Sequence, residues 1–344
     1  MRGRPWALAE QASERCALTM VCSPRAQGPS YAAGSRGVRK KIGAVPRGGT
    51  ALYKGCGMTG NEVREFFASC ELLVVDMDGT CLNGARELTA GTLSALGAVI
   101  ERGIPVVPAT GRGLWEIEHE FLAGLPIRHF ITANGALTSE AGGRRLRSRL
   151  IDRALAVEVV QAFMSADTLV YVHEDDARST HLWGSGASAH EAFTIGFDTT
   201  RVKRGMPPLE EDLVRSVRAG TPCVHKVGVR FRAPWTAAQI QGTVAARFPQ
   251  LVSARSEECL VEMNAAGANK GEALTDLCAH LGVPLARVCA IGDNGNDLSM
   301  VRAAGLGVAV ANASEEVRAA ADFVTAHDHD HEGVARFLTE YALG

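Results

Sequence analysis

The stretch of residues 72–80, Leu-Leu-Val-Val-Asp-Met-Asp-Gly-Thr, decides the fold. Its four consecutive apolar residues are typical of a short strand that is buried on both faces of a parallel sheet. Asp76 therefore follows the carboxyl end of a strand, where open α/β folds bind their ligands. A turn at Gly79 would let Asp76 face a metal and a phosphate while Asp78 keeps a proton for a leaving group. The stretch thus predicts a nucleophile and an acid, and a solvated Asp-Gly turn is the alternative.

The length and composition predict a folded chain of two domains with an extension, because 344 residues with 46% hydrophobic content can bury a full core. The net charge is −2, and the first 60 residues hold ten basic residues against two acids, so the remainder is acidic. An acidic body argues against a nucleic-acid partner, and no run of apolar residues is long enough to span a membrane. Nine cysteines without a CxxC pair favour a reducing compartment.

Residues 1–60 are rich in Arg, Ala, Gly and Ser and lack a sustained apolar period. We expect little folded structure there, and the composition fits a transit peptide to a plastid or a mitochondrion. An untargeted disordered tail, or a true start at Met58, are the alternatives, and the protein would then be cytoplasmic.

From Glu71 onward, strand-like and helix-like segments alternate, which predicts βαβ units and a parallel sheet. A helix capped by Thr89 ends at Gly103, and another ends at Gly282. The rhythm changes in the middle, where we expect an inserted α+β cap domain at residues 152–259. The predicted fold class is α/β, with a Rossmann-like doubly wound parallel sheet core formed by residues 70–151 and 260–344. The predicted core strands are Ile104–Ala109, Phe130–Ala133, Val288–Ile291, Val308–Val310 and Phe323–Val324, and those of the cap are Leu169–His173 and Lys226–Phe231.

Three further segments lie where a predicted strand ends or a helix begins. Thr110 and Gly111 offer a hydroxyl and an amide to a phosphate oxygen, although a helix cap is the plain alternative. Lys270 heads a helix, where a cation is disfavoured unless it faces an anion, and a solvated lysine is the alternative. Asp293 and Asp297 follow a buried strand and offer the oxygen ligands that Mg²⁺ prefers, and a glycine-rich Asx turn is the alternative.

Taken in this order, the four segments resemble the motifs of the haloacid dehalogenase superfamily, and within it the Cof-type phosphatases with the class IIB cap. The resemblance covers roughly residues 70–340. It implies that Asp76 forms an aspartyl-phosphate, while Asp78 protonates the leaving group and then activates water. The other implied site residues are Thr110, Gly111, Lys270 and Asn296 for the phosphate, Asp76, Asp293 and the Asp78 backbone carbonyl for Mg²⁺, and Asp297 in support.

Three other polar segments are weaker signals. Asn134 matches a family segment beside the phosphate site, and a β-turn is an equal alternative. The run His327–Glu332 has ligand-type side chains, but we expect a solvated loop. For the run from His173 to Asp176, a charged turn outside the site is the favoured interpretation, and contact with the substrate is the alternative.

These observations predict a Mg²⁺-dependent phosphatase acting on a small phosphorylated metabolite, with sugar phosphates the leading class. A riboflavin-pathway phosphatase acting on 5-amino-6-(5-phospho-D-ribitylamino)uracil and a phosphomannomutase-like phosphotransferase are alternatives. A non-catalytic sensor of phosphometabolites is the alternative from another class, and the sequence does not predict the oligomeric state.

Overall fold

The computed structural model describes residues 57–114, 117, 122, 124–174, 212–220 and 224–344, and the backbone of residues 180–185. Almost all of the predicted extension 1–60 therefore lies outside the described residues, as do Asp175 and Asp176. None of the helices within the described ranges is long and apolar enough to cross a membrane.

The described elements alternate along most of the chain. The strands are β1 (Leu72–Val75), β2 (Val106–Pro108), β3 (His129–Thr132), β4 (Leu137–Glu140), β5 (Arg145–Ser148), β6 (Thr168–Glu174), β7 (Thr180–Ser185), β8 (Val224–Phe231), β9 (Leu251–Glu257), β10 (Leu260–Ala265), β11 (Val288–Gly292), β12 (Leu306–Ala309) and β13 (Phe323–Val324). The helices are α1 (Gly60–Phe67), α2 (Ala90–Glu101), α3 (Arg153–Phe163), α4 (Leu213–Ala219), α5 (Ala237–Arg247), α6 (Lys270–Leu281), α7 (Leu298–Ala303), α8 (Glu315–Ala320) and α9 (Gly333–Phe337).

The core is a parallel sheet in the order β13-β12-β11-β1-β2. All four residues of β1 are buried, as the apolar run predicts. Because β1 lies between β2 and β11, the strand order reverses there, and open α/β sheets bind ligands outside such a reversal. The sheet therefore places the carboxyl ends of β1 and β11 side by side at a natural binding crevice.

The local signals at the ends of two core helices are confirmed. The Thr89 hydroxyl accepts a hydrogen bond from the backbone N–H of Thr92 at 3.1 Å and starts α2. Gly282 adopts φ +71° directly after α6, a left-handed conformation that costs glycine little. These helices pack their apolar faces on the sheet within one buried core cluster.

The segment around Phe130 runs parallel to the core strands, as predicted, but most of its pairing lies in another sheet. It forms β3, which joins the parallel sheet through a single bridge between Ala109 and Ile131 and otherwise belongs to an antiparallel sheet in the order β3-β4-β5. Strand β4 is antiparallel to β3 because a tight turn joins them, in which Asn134 and Gly135 have φ values of +58° and +89°. A connection this short can only return the chain antiparallel.

The cap is an antiparallel sheet in the order β7-β6-β8-β10-β9 with its own buried apolar cluster. The chain thus has the predicted fold class, a parallel α/β core carrying an α+β cap. Strand β10 completes the cap sheet after residue 259, because it forms a hairpin with β9 before the chain returns to the core at α6. The domain limits drawn from the sequence stay a prediction.

Candidate active site

Asp76 lies at the carboxyl end of β1, in the crevice between β1 and β11. Its backbone N–H donates to the carbonyl of Ile291 at 3.0 Å, and the residue is only 4% exposed. The chain then turns, with Gly79 at φ +80° and the N–H of Leu82 donating to the carbonyl of Met77. The predicted turn is therefore present, and it leaves Asp76 buried within the protein instead of solvated.

Lys270 is the first residue of α6 and is fully buried. The Asn269 side chain caps this helix by accepting from the backbone N–H of Glu272 at 2.8 Å. The Lys270 ammonium donates to Asp76 Oδ1 and to Asp297 Oδ1, each at 2.5 Å. The prediction that this lysine faces an anion is consistent with the geometry, because its partners are two buried carboxylates.

The carboxylates of Asp76, Asp293 and Asp297 form a compact acidic group, whose oxygens lie within 4.8 Å of one another. Burial and the neighbouring Asp297 raise the pKa of Asp76 well above its usual value, although Lys270 lowers it. The same causes raise the pKa of Asp293 to about 7 against a hydrogen bond from Thr80. Three buried carboxylates facing one ammonium leave an excess of negative charge, which suits a divalent cation with oxygen ligands.

This charge excess predicts the pH dependence of the metal-free protein. The pKa of Asp293 is about 7 in the folded chain against 3.8 for the free side chain, so the folded state binds more protons than the unfolded state between these values. The free energy of unfolding should therefore fall as the pH rises through this window, by up to about 1.4 kcal/mol per pH unit for one such group. Urea unfolding in EDTA at several pH values measures this slope. Asp293→Asn should reduce this slope, with the remainder due to the raised pKa of Asp76, and stability that rises through the window would contradict the assignment.

The predicted phosphate-binding residues Gly111 and Asn296 lie against the buried side-chain amide of Asn134, and the carbonyl of Thr110 accepts from the Asn134 backbone N–H at 2.9 Å. Thr110 is fully buried, and its hydroxyl accepts from the N–H of Arg112 at 3.1 Å. Asn296 donates to Oδ1 of Asn134 at 3.2 Å, and a Cβ added at Gly111 would lie 2.9 Å from the same oxygen. Asn134 sits in a turn, as one interpretation held, and its side chain also joins these residues, as the other held.

Asp78 does not join the acidic group through its side chain. Its carboxylate is 45% exposed and accepts two hydrogen bonds of 2.6 Å from Nε and Nη2 of Arg112. Arg112 thus orients the predicted acid with a bidentate pair, a role that the sequence reasoning missed although Arg112 directly follows Thr110-Gly111. The role of the Asp78 backbone carbonyl as a metal ligand stays a prediction.

A cavity with a volume of about 110 Å³ lies beside Asp76 and Asp78, and side chains of the cap line it together with these two residues. His173 is among them, so its interpretation as a turn residue outside the site needs correction. It belongs to β6, where alternate side chains share a face, and Tyr171 accompanies it. The sequence reasoning missed the other cap residues of the lining, which are Tyr171, Lys226, Arg230, Ser256, Glu257, Leu260 and Glu262.

The run His327–Glu332 does not assemble a metal-binding group within the described residues. Instead, its acids tie this segment to the loops that follow β1. Asp330 accepts from the N–H of Gly84, and Glu332 accepts from the Thr89 hydroxyl, each at 2.6 Å. Two of its polar residues thus make contacts with a distant segment of the chain, whereas the sequence predicts a fully solvated loop.

Gly79 is a turn residue at which substitution is both strained and sterically blocked. Its φ is +80°, and a Cβ added there would lie 2.6 Å from Oδ2 of Asp293. Gly79→Ala should lower the free energy of unfolding by about 1–3 kcal/mol and also disturb the acidic group. Gly103→Ala is the matched control, because Gly103 has φ +88° with no atom within 4 Å of the added Cβ. Both variants should lose stability, but only Gly79→Ala should lose the phosphatase activity that the resemblance implies. Equal activities of the two variants would contradict this prediction.

Comparisons with known proteins show the family to which this chain belongs. The family model of haloacid dehalogenase-like hydrolases matches residues 73–338. Phosphatase YwpJ of Bacillus subtilis is 28% identical over 289 residues, which cover 78% of this chain and 98% of that protein. The 5-amino-6-(5-phospho-D-ribitylamino)uracil phosphatase YwtE of the same species is 27% identical over 287 residues, covering 79% and 98%.

A solved structure supports the fold with its cap. The subclass IIB sugar phosphatase BT4131 superposes with a TM-score of 0.65 at 21% identity, covering 80% of this chain and all of that one. Members of this superfamily generally use Mg²⁺, and the acidic group offers it a site. On the family match, the phosphatase relatives and the shared fold, the chain belongs to the haloacid dehalogenase-like hydrolases and is a phosphatase of their Cof-type branch.

Proposed function

We propose that this protein is a Mg²⁺-dependent phosphomonoesterase that hydrolyses a small sugar phosphate or related metabolite through a phosphorylated Asp76. The observation that carries the proposal is the placement of the buried Asp76 carboxylate between Lys270 and the cavity. A carboxylate held in this way is oriented for attack without needing to move.

In the first step, an Asp76 oxygen attacks phosphorus and the bond from phosphorus to the leaving oxygen breaks. Asp78 gives its proton to that oxygen, so the leaving group departs as a neutral alcohol. Lys270, the Thr110 hydroxyl and the Gly111 amide would hold the phosphoryl oxygens as charge develops on them. The half-exposed position of Asp78 at the cavity supports its role beside a leaving group.

In the second step, Asp78 takes a proton from a water molecule, whose oxygen attacks phosphorus. The bond between phosphorus and Asp76 breaks, which regenerates the carboxylate and releases inorganic phosphate. Arg112, which orients Asp78 through two hydrogen bonds, keeps this carboxylate directed at the cavity.

The acidic group fits Mg²⁺, because its carboxylates leave uncompensated negative charge and offer only hard oxygen ligands. Asp76 and Asp293 would hold the ion together with the backbone carbonyl of Asp78, and Asp297 would support the group through Lys270. The bound ion would supply positive charge that lets the phosphate approach a carboxylate.

The substrate class is supported by the cap side of the cavity, where Tyr171, His173 and Arg230 offer hydrogen bonds to a hydroxylated leaving group. The similarity to a ribitylaminouracil phosphatase favours that compound as a second candidate, because it also carries a polyhydroxylated chain next to its phosphate. The mutase alternative stays a prediction, and phosphatase relatives argue against a non-catalytic sensor.

The test is phosphate release by the purified full-length chain from p-nitrophenyl phosphate, with Mg²⁺ or with EDTA. We expect release that needs the metal, and a panel of phosphorylated metabolites ranked by kcat/KM should place sugar or sugar-alcohol phosphates first. An inert panel together with bisphosphate-dependent transfer between sugar positions would replace the hydrolase with the mutase. Release that persists after complete removal of metal would overturn the Mg²⁺ assignment.

A further inference from the structure

A chain of hydrogen bonds joins the cap to the core loops beside Asp76, and its centre is Glu262 on β10. Glu262 is 5% exposed. Its Oε1 accepts from the Lys226 ammonium at 2.5 Å and from the Tyr171 hydroxyl, both of the cap. Its Oε2 accepts from Nδ2 of Asn134, in the core, at 2.7 Å. A buried carboxylate is thus satisfied by donors from both domains.

The carboxylate also fixes which way the Asn134 amide points. Burial raises the pKa of Glu262, but Lys226 and the hydrogen bonds lower it more, so the pKa lies below its usual value. An ionised carboxylate only accepts hydrogen bonds, so the Asn134 atom that faces it must be the donor Nδ2. Oδ1 of Asn134 then faces Asn296, whose Nδ2 donates to it at 3.2 Å. The cap residue Glu262 therefore determines which atom donates and which accepts in both hydrogen bonds of Asn134.

Lys226 forms a second connection from the same carboxylate. Its ammonium, in a residue 2% exposed, also donates to the backbone carbonyl of Gly111 at 2.7 Å. Gly111 belongs to the loop that carries Thr110. Both connections from Glu262 therefore end on core segments that hold predicted phosphate-binding residues.

We propose that Glu262 is a positioning residue, which orients Asn134 and Asn296 from the cap and holds Lys226 on the carbonyl of Gly111. The inference rests on the proposed phosphatase function, because it assigns the two ends of the chain to phosphate binding. The phosphate-binding loops are complete only when the cap is seated on the core, so cap closure and catalytic geometry are one event.

The test begins with Glu262→Gln, which preserves the shape of the side chain. Its amide nitrogen would face Nδ2 of Asn134, donor against donor, so either the amide of Asn134 turns or the contact opens. We expect kcat for p-nitrophenyl phosphate to fall about tenfold or more, and inhibition by inorganic phosphate to weaken by a similar factor. The matched control is Asp167→Asn, which makes the same chemical change in a more exposed cap carboxylate paired with Arg232. In the control, kcat and the inhibition constant for inorganic phosphate should both stay within about twofold of the wild-type values.

The double variant Asn134→Asp/Glu262→Gln separates orientation from mere stability. The amide introduced on β10 can donate to one oxygen of the carboxylate introduced in the turn. The other oxygen of that carboxylate accepts from Asn296, so both links of the chain from β10 to Asn296 are complementary again. We expect the double variant to recover most of the lost kcat and the lost phosphate inhibition, whereas a purely structural role would move the Tm and leave both constants unchanged.

The outcomes decide the inference separately from the proposed function. A wild-type chain that is inert toward all phosphate esters would overturn the function itself. An active wild type with a folded Glu262→Gln variant of unchanged kcat and phosphate inhibition would overturn only the positioning role. If Glu262→Gln does not fold, a folded double variant decides, since its activity supports the role and its inertness overturns it.

Discussion

Replacing Asp76 by asparagine should reduce phosphate release by about 10⁴-fold or more while the protein gains stability. The loss of activity follows because an amide cannot become the phosphorylated carboxylate. The measurement is kcat with p-nitrophenyl phosphate and Mg²⁺, and a phosphorylated or beryllofluoride-labelled Asp76 should be found in the wild type only.

The gain in stability follows from the raised pKa of Asp76. Burial and Asp297 make the charged form unfavourable in the folded state, although Lys270 lies 2.5 Å away. Because the folded pKa exceeds the unfolded one, ionisation at neutral pH costs folding free energy, and a neutral amide removes that cost. Metal-free Asp76→Asn should therefore unfold at higher urea concentration than the wild type at pH 7.

Asp322→Asn is a matched control in the core, because Asp322 accepts a hydrogen bond from the N–H of Gly307 that an amide oxygen can also accept. It should leave kcat within about twofold. Substantial phosphate release by Asp76→Asn, or label on another residue, would contradict the covalent mechanism.

Lys270→Met should lower the free energy of unfolding by about 3–5 kcal/mol and also remove activity. Lys270 is fully buried between Asp76 and Asp297, so its loss leaves buried carboxylates without their cation. Burial lowers the pKa of Lys270, but the two carboxylates raise it more, and the ammonium is therefore charged when the protein is folded. Chemical denaturation at pH 7 in EDTA measures the effect.

A double variant tests whether the two losses have one cause. Lys270→Met/Asp297→Asn removes one of the unpaired charges, so it should recover part of the stability but none of the activity, since the phosphoryl group still lacks its cation. A single variant as stable as the wild type would contradict the account of this charge cluster.

Much of the core was predictable, because its signals are local. The apolar run of β1, the cap at Thr89 and the glycine at 282 each act within a few residues. The acidic group could also be predicted from the sequence, since parallel strands bring their carboxyl ends to one edge of the sheet and so place Asp76 near Asp293.

The contacts between distant segments were not predictable in the same way. The pairing of Arg112 with Asp78, and of Glu262 with Asn134, depends on how the cap and the loops meet in space. The antiparallel pairing of β4 with β3 depends on a turn whose residues also occur in other loops. For the two polar pairs, the sequence shows each residue without showing its partner.

The tight turn after β3 constrains the crossing by which the chain returns from the cap to the core. A Cβ at Gly135 would lie 2.3 Å from the carbonyl oxygen of Asn269, so only a bare backbone lets this crossing pass against the turn. The crossing runs from the end of β10 to Lys270 and has just four intervening residues. The cap cannot move relative to the core without moving this short connection, whose core end carries the Lys270 ammonium. Access of a ligand to the cavity and the electrostatics of the reaction centre are therefore mechanically coupled.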